Sequence, residues 1–484
     1  MSELSCLLDP KLFKKNNTDL NPLLSTLRKY GIKVFLHPFS SNWNSSSMLQ
    51  KFPLLEHLPS IRSGECLEEL FGGISSEEEK FSCQLLYLLF RNCSKFLISN
   101  DRDIHRRAQY KGFDERIFSS GDFLEHINQF YNPKLSTNTE IHVDHLPIYN
   151  LDDRDEIFES LRNEYEDFDK WLSKCSQEHR KCWVVKGIDN KIAGICIYKN
   201  GSNDHEVSEL GGKILKACTF KVSEEYRGGK IGELLLKNIF SYCVANDFDH
   251  VYLTVFLFKH PDLVEYLKDF GFQIHPREKG DEIICFKTFS RRFINNEPKI
   301  PALDYFKKYS PNFLMDESIS KYIVPIQPSY HKKLFPRYDF YIEASKSECG
   351  ILECSSGNAI KKVYLSHSPI KDLEPGSLLL FYRSEDISSL TTFGILEKAQ
   401  RRSVYDETVS SILKRSAYNE EDVKEILKKE TLVIDFRIAG YLKDCLRLSN
   451  LKKLGVLKGP PQSITTITNE SFQKIKKKIL NFYF

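Results

Sequence analysis

The amino-acid sequence predicts a multidomain protein of the α/β class, and three observations support this. The chain has 484 residues, which is enough for about two to four domains. Residues 219–237 have the pattern of a strand, a glycine-rich turn and a helix. Residues 329–484 contain many strand-like runs but few helical ones, which predicts a small β-barrel. We therefore expect α/β domains over residues 1–137 and 138–297, a linker over 298–328 and a β-rich domain over the remainder.

Composition argues against several classes of protein. Hydrophobic residues make up 41% of the chain and charged residues 28%, as in folded globular proteins rather than disordered ones. No run of about eighteen apolar residues is present, so no membrane span is expected. Residues Met1 to Leu7 lack the basic start and apolar core of a secretion signal. The 13 cysteines are scattered and odd in number, which indicates reduced thiols, a cytoplasmic location and no structural metal site.

The strand–turn–helix unit carries the strongest chemical signal. Apolar side chains alternate in the strand at Cys218, Phe220 and Val222, and recur at helical spacing at Ile231, Leu234, Leu235 and Ile239. The turn between them contains Arg227, Gly228, Gly229 and, just inside the helix, Gly232. Glycines at a helix start let backbone N–H groups approach a phosphate, whose negative charge the helix dipole favours. The turn is therefore a candidate pyrophosphate site, although it is neither a dinucleotide fingerprint nor a P-loop. An ordinary βαβ turn without a ligand is the alternative.

This unit resembles the pyrophosphate loop of the GNAT family of N-acetyltransferases, which reads Arg/Gln-x-x-Gly-x-Gly/Ala. Arg227 matches the first position and Gly232 the last, whereas Lys230 stands where the family has its first glycine. The resemblance continues through a strand at 250–256 and a helix that runs into Gly-Phe at 271–272. It implies a mixed-sheet α/β domain with acetyl-CoA as its cofactor. The residues that would contact the cofactor are Phe220, Lys221, Val222, Arg227, Gly228, Gly229, Lys230, Ile231 and Gly232.

Acetyl transfer to an amine requires a polarised thioester carbonyl, a base and an acid. The resemblance assigns the first task to backbone N–H groups of the strand segment 220–222. The family's acid is often a tyrosine four residues before the glycine of Gly-Phe, a position held here by Leu267. Tyr266 lies one place away, which rotates a helical side chain by about 100°. Glu224, Glu225 and His260 are candidate bases, and solvated surface charges are the alternative reading.

The N-terminal region alternates strand-like and helical runs, and Asp9 and Asp101 each follow one of its strands. This arrangement resembles a PIN-like α/β/α domain, whose nucleases gather acidic residues around a divalent metal. Lys11 stands where that family has asparagine, and Ser82 where it has a further acid. Two carboxylates beside a lysine are a poor Mg²⁺ site. We predict a catalytically degenerate domain that docks nucleic acid or acts as a scaffold, with an active nuclease as the alternative.

The C-terminal region combines a Pro375-Gly376 turn, an apolar strand at 377–383 and a glycine-containing strand at 391–397. The pattern resembles the PUA-like group, including ASCH and EVE modules, and this resemblance implies RNA or modified-base binding in a pocket beside a small barrel. Aromatic rings and a planar guanidinium suit a flipped base. Core and loop residues without a ligand are the alternative. The candidate pocket residues are Tyr382, Arg383, Ser384, Gln462 and Ser463.

Basic residues accumulate towards the end of the chain, although the net charge of the whole chain is only +3. They are Lys443, Arg447, Lys452, Lys453, Lys458, Lys474, Lys476, Lys477 and Lys478. Only Asp444 and Glu470 oppose them after Tyr441. Such an excess either faces a phosphate backbone or forms a solvated helix face.

Together these features predict an acetyl-CoA-dependent N-acyltransferase that acts on a nucleic acid or on a substrate bound to one, with RNA favoured over DNA. One alternative is a protein or small-molecule acetyltransferase whose flanking domains only scaffold it. Another is a non-catalytic nucleic-acid-binding or regulatory protein, for example in a toxin or defence system.

Overall fold

The computed structural model describes residues 5–13, 20–29, 31–37, 67–111, 116–120, 123, 127, 143–187, 190–227, 230–276, 282–294, 300–336, 338, 359–371, 373–403, 412, 415–416 and 418–484. The chain forms two compact units. The first contains Met1–Ser136, Arg227–Gly229 and Phe256–Glu265, and the second contains Thr137–Tyr226, Lys230–Val255 and Tyr266–Phe484. The predicted second and third domains thus fall largely within one compact unit, and the division of the chain into three domains stays a prediction.

The first unit contains a four-stranded sheet with the order β2-β1-β3-β4, in which every pair is parallel. Its strands are β1 Ser5–Leu8, β2 Lys33–Leu36, β3 Phe96–Ile98 and β4 Ile117–Phe118. Its helices are α1 Leu20–Lys29, α2 Leu67–Phe71, α3 Glu77–Phe90 and α4 Arg102–Lys111. Cys6 and Leu8 join a core with α1, whereas Leu7 joins a core with α3. Because alternate strand residues point to opposite faces, the sheet is covered on both sides, as expected for an α/β/α arrangement.

The first sheet of the second unit has seven strands in the order β10-β11-β9-β8-β7-β6-β5. They are β5 Val143–Pro147, β6 Lys181–Lys186, β7 Ile192–Asn200, β8 Ile214–Val222, β9 His250–Phe256, β10 Gln273–Pro276 and β11 Glu282–Thr288. The helices of this region are α5 Glu159–Glu164, α6 Phe168–Gln177, α7 Ile231–Ala245 and α8 Pro261–Asp269, of which α8 enters the second unit only at Tyr266. Strands β5 to β8 are antiparallel, but β8 and β9 run parallel. This is the mixed sheet that the sequence predicts.

Helix α7 packs closely on this sheet because β7 carries a glycine beneath it. A Cβ atom added to Gly194 would lie only 2.4 Å from the Cγ2 atom of Ile231. Ile231, Leu234, Leu235 and Ile239 are all buried, so the predicted apolar stripe of the helix is confirmed.

The second sheet of this unit follows the path β13-β16-β15-β14-β12-β17, with β18 paired to β16. Its strands are β12 Lys321–Ile326, β13 Lys361–Ser366, β14 Leu378–Arg383, β15 Ser389–Arg402, β16 Thr431–Arg447, β17 Thr465–Thr466 and β18 Phe482–Tyr483. The surrounding helices are α9 Ala302–Tyr309, α10 Pro328–Leu334, α11 Glu420–Ile426, α12 Leu448–Lys453 and α13 Asn469–Ile479. A closed barrel requires pairing between the first and last strands. Within the described ranges the path instead ends at β13 and at the two-residue β17, so the predicted barrel is here an open sheet.

The segment predicted as a linker, 298–328, contains both α9 and β12. Strand β12 lies between β14 and β17 and contributes Ile323 to the core. The sequence pattern concealed this strand because Pro325 interrupts it, and proline cannot donate a ladder hydrogen bond. The carbonyl of Pro325 nevertheless accepts a hydrogen bond from the Tyr364 hydroxyl at 2.8 Å.

Candidate functional site

The two parallel strands at the centre of the mixed sheet separate after three residue pairs. Ile214–Lys216 of β8 pair with His250–Tyr252 of β9, and no described pair continues this register. On its other side β8 stays paired with β7 as far as Val222. Among the described residues, the predicted segment 220–222 is therefore paired with β7 and not with β9. Its open edge can receive an extended ligand through backbone hydrogen bonds.

Helix α7 begins with a left-handed residue. Lys230 has φ 58° and ψ 12°, immediately before Ile231, and its side chain does not cap the helix. Glycine adopts this backbone conformation without the steric penalty of a Cβ atom, which is roughly 1 kcal/mol. Lys230 therefore adopts a backbone conformation that glycine adopts more readily, and it places a Cβ atom and a positively charged side chain there. Arg227 is partly buried in the turn before it, and Gly228 and Gly229 lie outside the described residues.

The start of α7 has the features of an anion site. The Leu234 N–H donates to the Lys230 carbonyl at 2.9 Å, whereas the N–H groups of a helix's first turn have no intrahelical acceptors. Together with the positive end of the helix dipole, these groups favour a phosphate. The Tyr266 side chain packs against Gly232 at this point, because an added Cβ atom would lie 3.1 Å from the Tyr266 Oη atom. The open edge of β8 and the start of α7 thus fit the thioester arm and the pyrophosphate of acetyl-CoA.

The candidate catalytic side chains differ in their surroundings. Leu267, at the family's tyrosine position, is fully buried, whereas Tyr266 is half-buried and packs on the Phe270 ring with centroids 4.9 Å apart. Glu224 is exposed on a short 3-10 helix after β8, and His260 is partly buried just before α8. Residues 266 and 267 both lie on α8, so their side chains point about 100° apart around the helix. The Tyr266 hydroxyl nevertheless reaches Gly232 in the first turn of α7. The catalytic roles of Tyr266, Glu224 and His260 stay predictions.

A buried lysine that the sequence analysis missed lies on β13. Lys362 is buried, and its Nζ atom is 5.7 Å from the centroid of the Phe335 ring. The pKa of Lys362 is lowered to about 7, mainly by burial and also by the positive charge of Lys230, while Glu233 opposes the shift. Lys362 follows Lys361 at the start of the strand, and a pair of lysines at a strand end is typical of a solvated surface, so no sequence signal marks it.

The acidic residues of the first unit surround a lysine. Lys11 Nζ lies 2.5 Å from Asp101 Oδ2 and 3.0 Å from Glu78 Oε1. Asp9 is fully buried and accepts hydrogen bonds from the Ser99 hydroxyl at 2.6 Å and the Lys11 backbone N–H at 2.9 Å. Burial raises the pKa of Asp9.

The third carboxylate of this cluster was not foreseen. Ser82, where an acid was expected, donates to the backbone carbonyl of Glu78 one helical turn earlier, so the acid of α3 is Glu78. Within the part of the chain that the structure describes, no group of histidine, cysteine, aspartate and glutamate side chains is arranged to hold a metal ion.

The predicted pocket residues of the C-terminal region have mixed environments. Tyr382 is fully buried, and its hydroxyl has no hydrogen-bond partner among the described residues. The buried Arg383 binds Asp386 with Nε–Oδ1 at 3.0 Å, and the Ser384 hydroxyl donates to the Ile326 carbonyl at 3.1 Å. Gln462 is exposed and Ser463 is half-buried. Stacking of a base on Tyr382 would require this region to rearrange, and the assignment of these five residues to a pocket stays a prediction.

None of the helices in the described part of the chain is long and apolar enough to cross a bilayer.

Residues 146–272 match the model of the Acetyltransferase (GNAT) family. PaiA N-acetyltransferase from Thermoplasma acidophilum in complex with coenzyme A is 18% identical, with a TM-score of 0.25, over 31% of this chain and 100% of that chain. A GNAT-family acetyltransferase from Staphylococcus aureus Mu50 is 16% identical, with a TM-score of 0.24, over 30% and 98% of the two chains. ASCH from Zymomonas mobilis is 17% identical, with a TM-score of 0.23, over 32% and 94%.

Identities and TM-scores this low transfer no function from those proteins to this chain. No curated protein matches the chain. The family match covers the separated strands β8 and β9, the left-handed turn and both helices α7 and α8. The chain therefore contains a GNAT-type N-acetyltransferase domain over residues 146–272, whose cofactor is acetyl-CoA.

Proposed function

We propose that this chain transfers the acetyl group of acetyl-CoA to an amine on a nucleic acid or on a substrate bound to one, with RNA favoured over DNA. The observation that carries the proposal is the basic face of α13, which belongs to the same compact unit as most of the acetyltransferase domain. Lys474, Lys477 and Lys478 are exposed on this helix, while Phe472 and Ile475 anchor it in the core. A helix fixed in this way presents its lysines as a rigid row to a phosphate backbone.

The reaction forms a bond between the amine nitrogen and the acetyl carbon and releases the CoA thiol. Acetyl-CoA supplies the activated acetyl group. Backbone N–H groups along the open edge of β8 would polarise the thioester carbonyl. Tyr266 is our candidate for the proton donor to the sulfur, and Glu224 or His260 for the group that accepts the proton of the amine.

The flanking regions fit this role as binding modules. We interpret the N-terminal α/β/α unit as PIN-like and catalytically degenerate, because Lys11 fills its acidic cluster. We interpret the C-terminal sheet as PUA-like, of the ASCH or EVE type, on the turn and strand pattern at 375–397. Both groups commonly bind nucleic acid, which is why the proposal places the acceptor there.

Two other functions remain distinct alternatives. A protein or small-molecule acetyltransferase would use the flanks only as scaffolds, and it would bind acetyl-CoA without nucleic acid. A non-catalytic regulatory protein would bind nucleic acid without acetyl transfer.

Labelling separates these functions. The full chain is incubated with acetyl-labelled acetyl-CoA and cell extract, and label is then measured in RNA, DNA, protein and small molecules. We expect ribonuclease-sensitive label, and none with Gly232→Val, because this side chain would collide with Tyr266 at the start of α7. Label confined to protein or small molecules would favour the first alternative, and the absence of any acetyl transfer the second.

Charge reversal tests the nucleic-acid surface. Changing Lys474, Lys476, Lys477 and Lys478 to Glu should weaken binding of the full chain to RNA and flatten the dependence of log K on log salt by about 0.7–0.9 per lost phosphate contact. The control reverses Lys424 and Lys428, which are also exposed in the second unit and pair with carboxylates, as Lys474 and Lys478 do, but lie on or just after α11. An unchanged salt slope in the α13 variant would remove the main support for a nucleic-acid substrate.

A further inference from the structure

Two strands outside the matched domain contact the elements that form its cofactor site. Strands β13 and β16 begin after residue 360 and pair with each other at Lys361 and Arg437. Their side chains and backbone reach α7 and α8, which belong to the matched residues 146–272. All the contacts below lie within the second compact unit.

The first contact fixes the first turn of α7. Glu233 follows Gly232, and its side chain is buried. Its Oε1 atom accepts a hydrogen bond of 2.5 Å from the backbone N–H of Lys361. Because Glu233 lies in the turn whose N–H groups favour a phosphate, β13 helps to set the position of that turn.

The second contact fixes the end of α8. Arg437 donates from Nη2 to the Asp269 carboxylate at 2.7 Å and from Nη1 to the Asp269 carbonyl at 2.8 Å. Lys361 Nζ forms an ion pair with the same carboxylate, and Glu397 holds Arg437 through Nε at 2.8 Å. A carboxylate at a helix C-terminus is disfavoured by the helix dipole, so it depends on these cations.

The pKa of Asp269 records this dependence. Burial alone would raise the pKa, but Arg437 and Lys361 hold it well below its usual range. The carboxylate therefore stays ionised, and its position is tied to β13 and β16.

The end of α8 is in turn linked to the start of α7 through aromatic rings. Arg437 and Lys361 lie 5.4 and 5.5 Å from the centroid of the Phe270 ring. Phe270 packs on Tyr266, whose hydroxyl reaches the last glycine of the turn, Gly232. The contacts thus form a closed ring from α7 through β13 and β16 to α8 and back to α7.

We propose that Arg437 and Lys361 are positioning residues of the acetyltransferase site. They act by fixing the first turn of α7 and by placing Tyr266 against Gly232. The acetyltransferase domain would then depend on the C-terminal sheet for its ability to bind CoA, beyond any contribution of that sheet to stability.

Calorimetric titration of the full chain with CoA tests this, together with amide hydrogen exchange of the first turn of α7. Arg437→Lys keeps the charge but cannot reproduce the paired guanidinium contacts. We expect its Kd for CoA to rise about fivefold or more and the amides of α7 to exchange faster. The matched control is Arg401→Lys on β15, whose guanidinium donates to Ser368 and Ile370 carbonyls outside the ring. Its Kd should stay within about twofold of the unmodified protein.

Asp269→Asn serves if Arg437→Lys does not fold, because the amide keeps the shape of the carboxylate but lacks its charge. A folded variant with a lower melting temperature, an unchanged Kd and unchanged exchange would overturn the inference and leave the ring a purely stabilising role. Failure of the unmodified chain to bind CoA would overturn the cofactor assignment as well, so the two failures are distinguishable.

Discussion

Two regions of this chain carry a lysine where a resemblance to a known family leads us to expect a different residue, and the two lysines have opposite consequences. In the first unit, Lys11 stands where the resemblance to a PIN-like domain leads us to expect asparagine, and its ammonium group lies between Asp101 and Glu78. In the acetyltransferase domain, Lys230 replaces a glycine yet keeps a left-handed backbone. A site made of side chains changes its chemistry when one side chain changes. A site made of backbone N–H groups keeps its chemistry as long as the chain path is kept.

The most direct test of this contrast restores the expected residue in the acidic cluster. Lys11→Asn leaves Asp101 and Glu78 without their ammonium partner, and we expect the free energy of unfolding at pH 7 to fall by about 2 kcal/mol. Carboxylate oxygens suit Mn²⁺ and Mg²⁺, so millimolar Mn²⁺ should recover part of this loss in the variant but not in the unmodified chain. Denaturant unfolding with and without Mn²⁺ measures both effects.

The control for this experiment is Lys80→Asn, because Lys80 pairs with Glu77 on the surface of α3, the helix that also carries Glu78. An exposed pair of this kind contributes about 0.5 kcal/mol or less. If Lys11→Asn were equally mild and insensitive to Mn²⁺, Lys11 would not control the chemistry of the cluster. Nuclease activity of the unmodified chain that depends on Mn²⁺ and is lost with Asp101→Asn would contradict the degenerate assignment directly.

The next effect concerns Lys362, whose pKa of about 7 is lowered partly by Lys230. An unfolded lysine has a pKa near 10.4, so between about pH 7 and 10 the unfolded chain binds a proton that the folded chain lacks. The free energy of unfolding therefore rises with pH in that window, by about 1.4 kcal/mol per pH unit at most. Below pH 7 the buried ammonium group destabilises the folded chain to its full extent. Lys362→Met should raise the melting temperature at pH 7 and flatten its rise towards pH 9.

Lys361→Met on the same strand provides the comparison for Lys362, since Lys361 pairs with the Asp269 carboxylate. It should lower the melting temperature at pH 7. Equal pH profiles for Lys362→Met and the unmodified chain would show that Lys362 stays charged when buried.

Sequence patterns predicted those parts of the molecule that depend on local periodicity. The apolar stripe of α7, the glycine turn and the Gly-Phe after α8 follow from short spacings, and they led to the correct domain. The contact of Glu233 with Lys361 and that of Asp269 with Arg437 join residues 128 and 168 positions apart. No local pattern encodes such pairs, because an acid at a helix end and a basic residue in a strand each look like surface charges.

The same limit explains the C-terminal region. Tyr382 and Arg383 were expected near a pocket because of their chemical types, but alternation along β14 places Tyr382 in one core and Arg383 against Asp386. The chemical type and sequence spacing of residues identify those that can bind a nucleic-acid base. Whether such a side chain is buried depends on the strands that pack beside it. Glu78 was missed for a related reason, since a shift of one helical turn returns a side chain to the same face.

The smallest effect isolates the backbone at Lys230. Lys230→Ala removes the side-chain charge but keeps a Cβ atom at φ 58°, whereas Lys230→Gly removes both the charge and the steric penalty. We expect the glycine variant to be more stable than the alanine variant by about 1 kcal/mol, as measured by denaturant unfolding. CoA affinity should be equal in the two variants, because the N–H groups of α7 are presented in the same way.

Any loss of affinity shared by both, relative to the unmodified chain, then measures a direct contribution of the lysine charge to phosphate binding. A glycine variant that is no more stable than the alanine variant would mean that this turn relaxes out of the left-handed conformation, and the contrast with Lys11 would no longer rest on a retained backbone path.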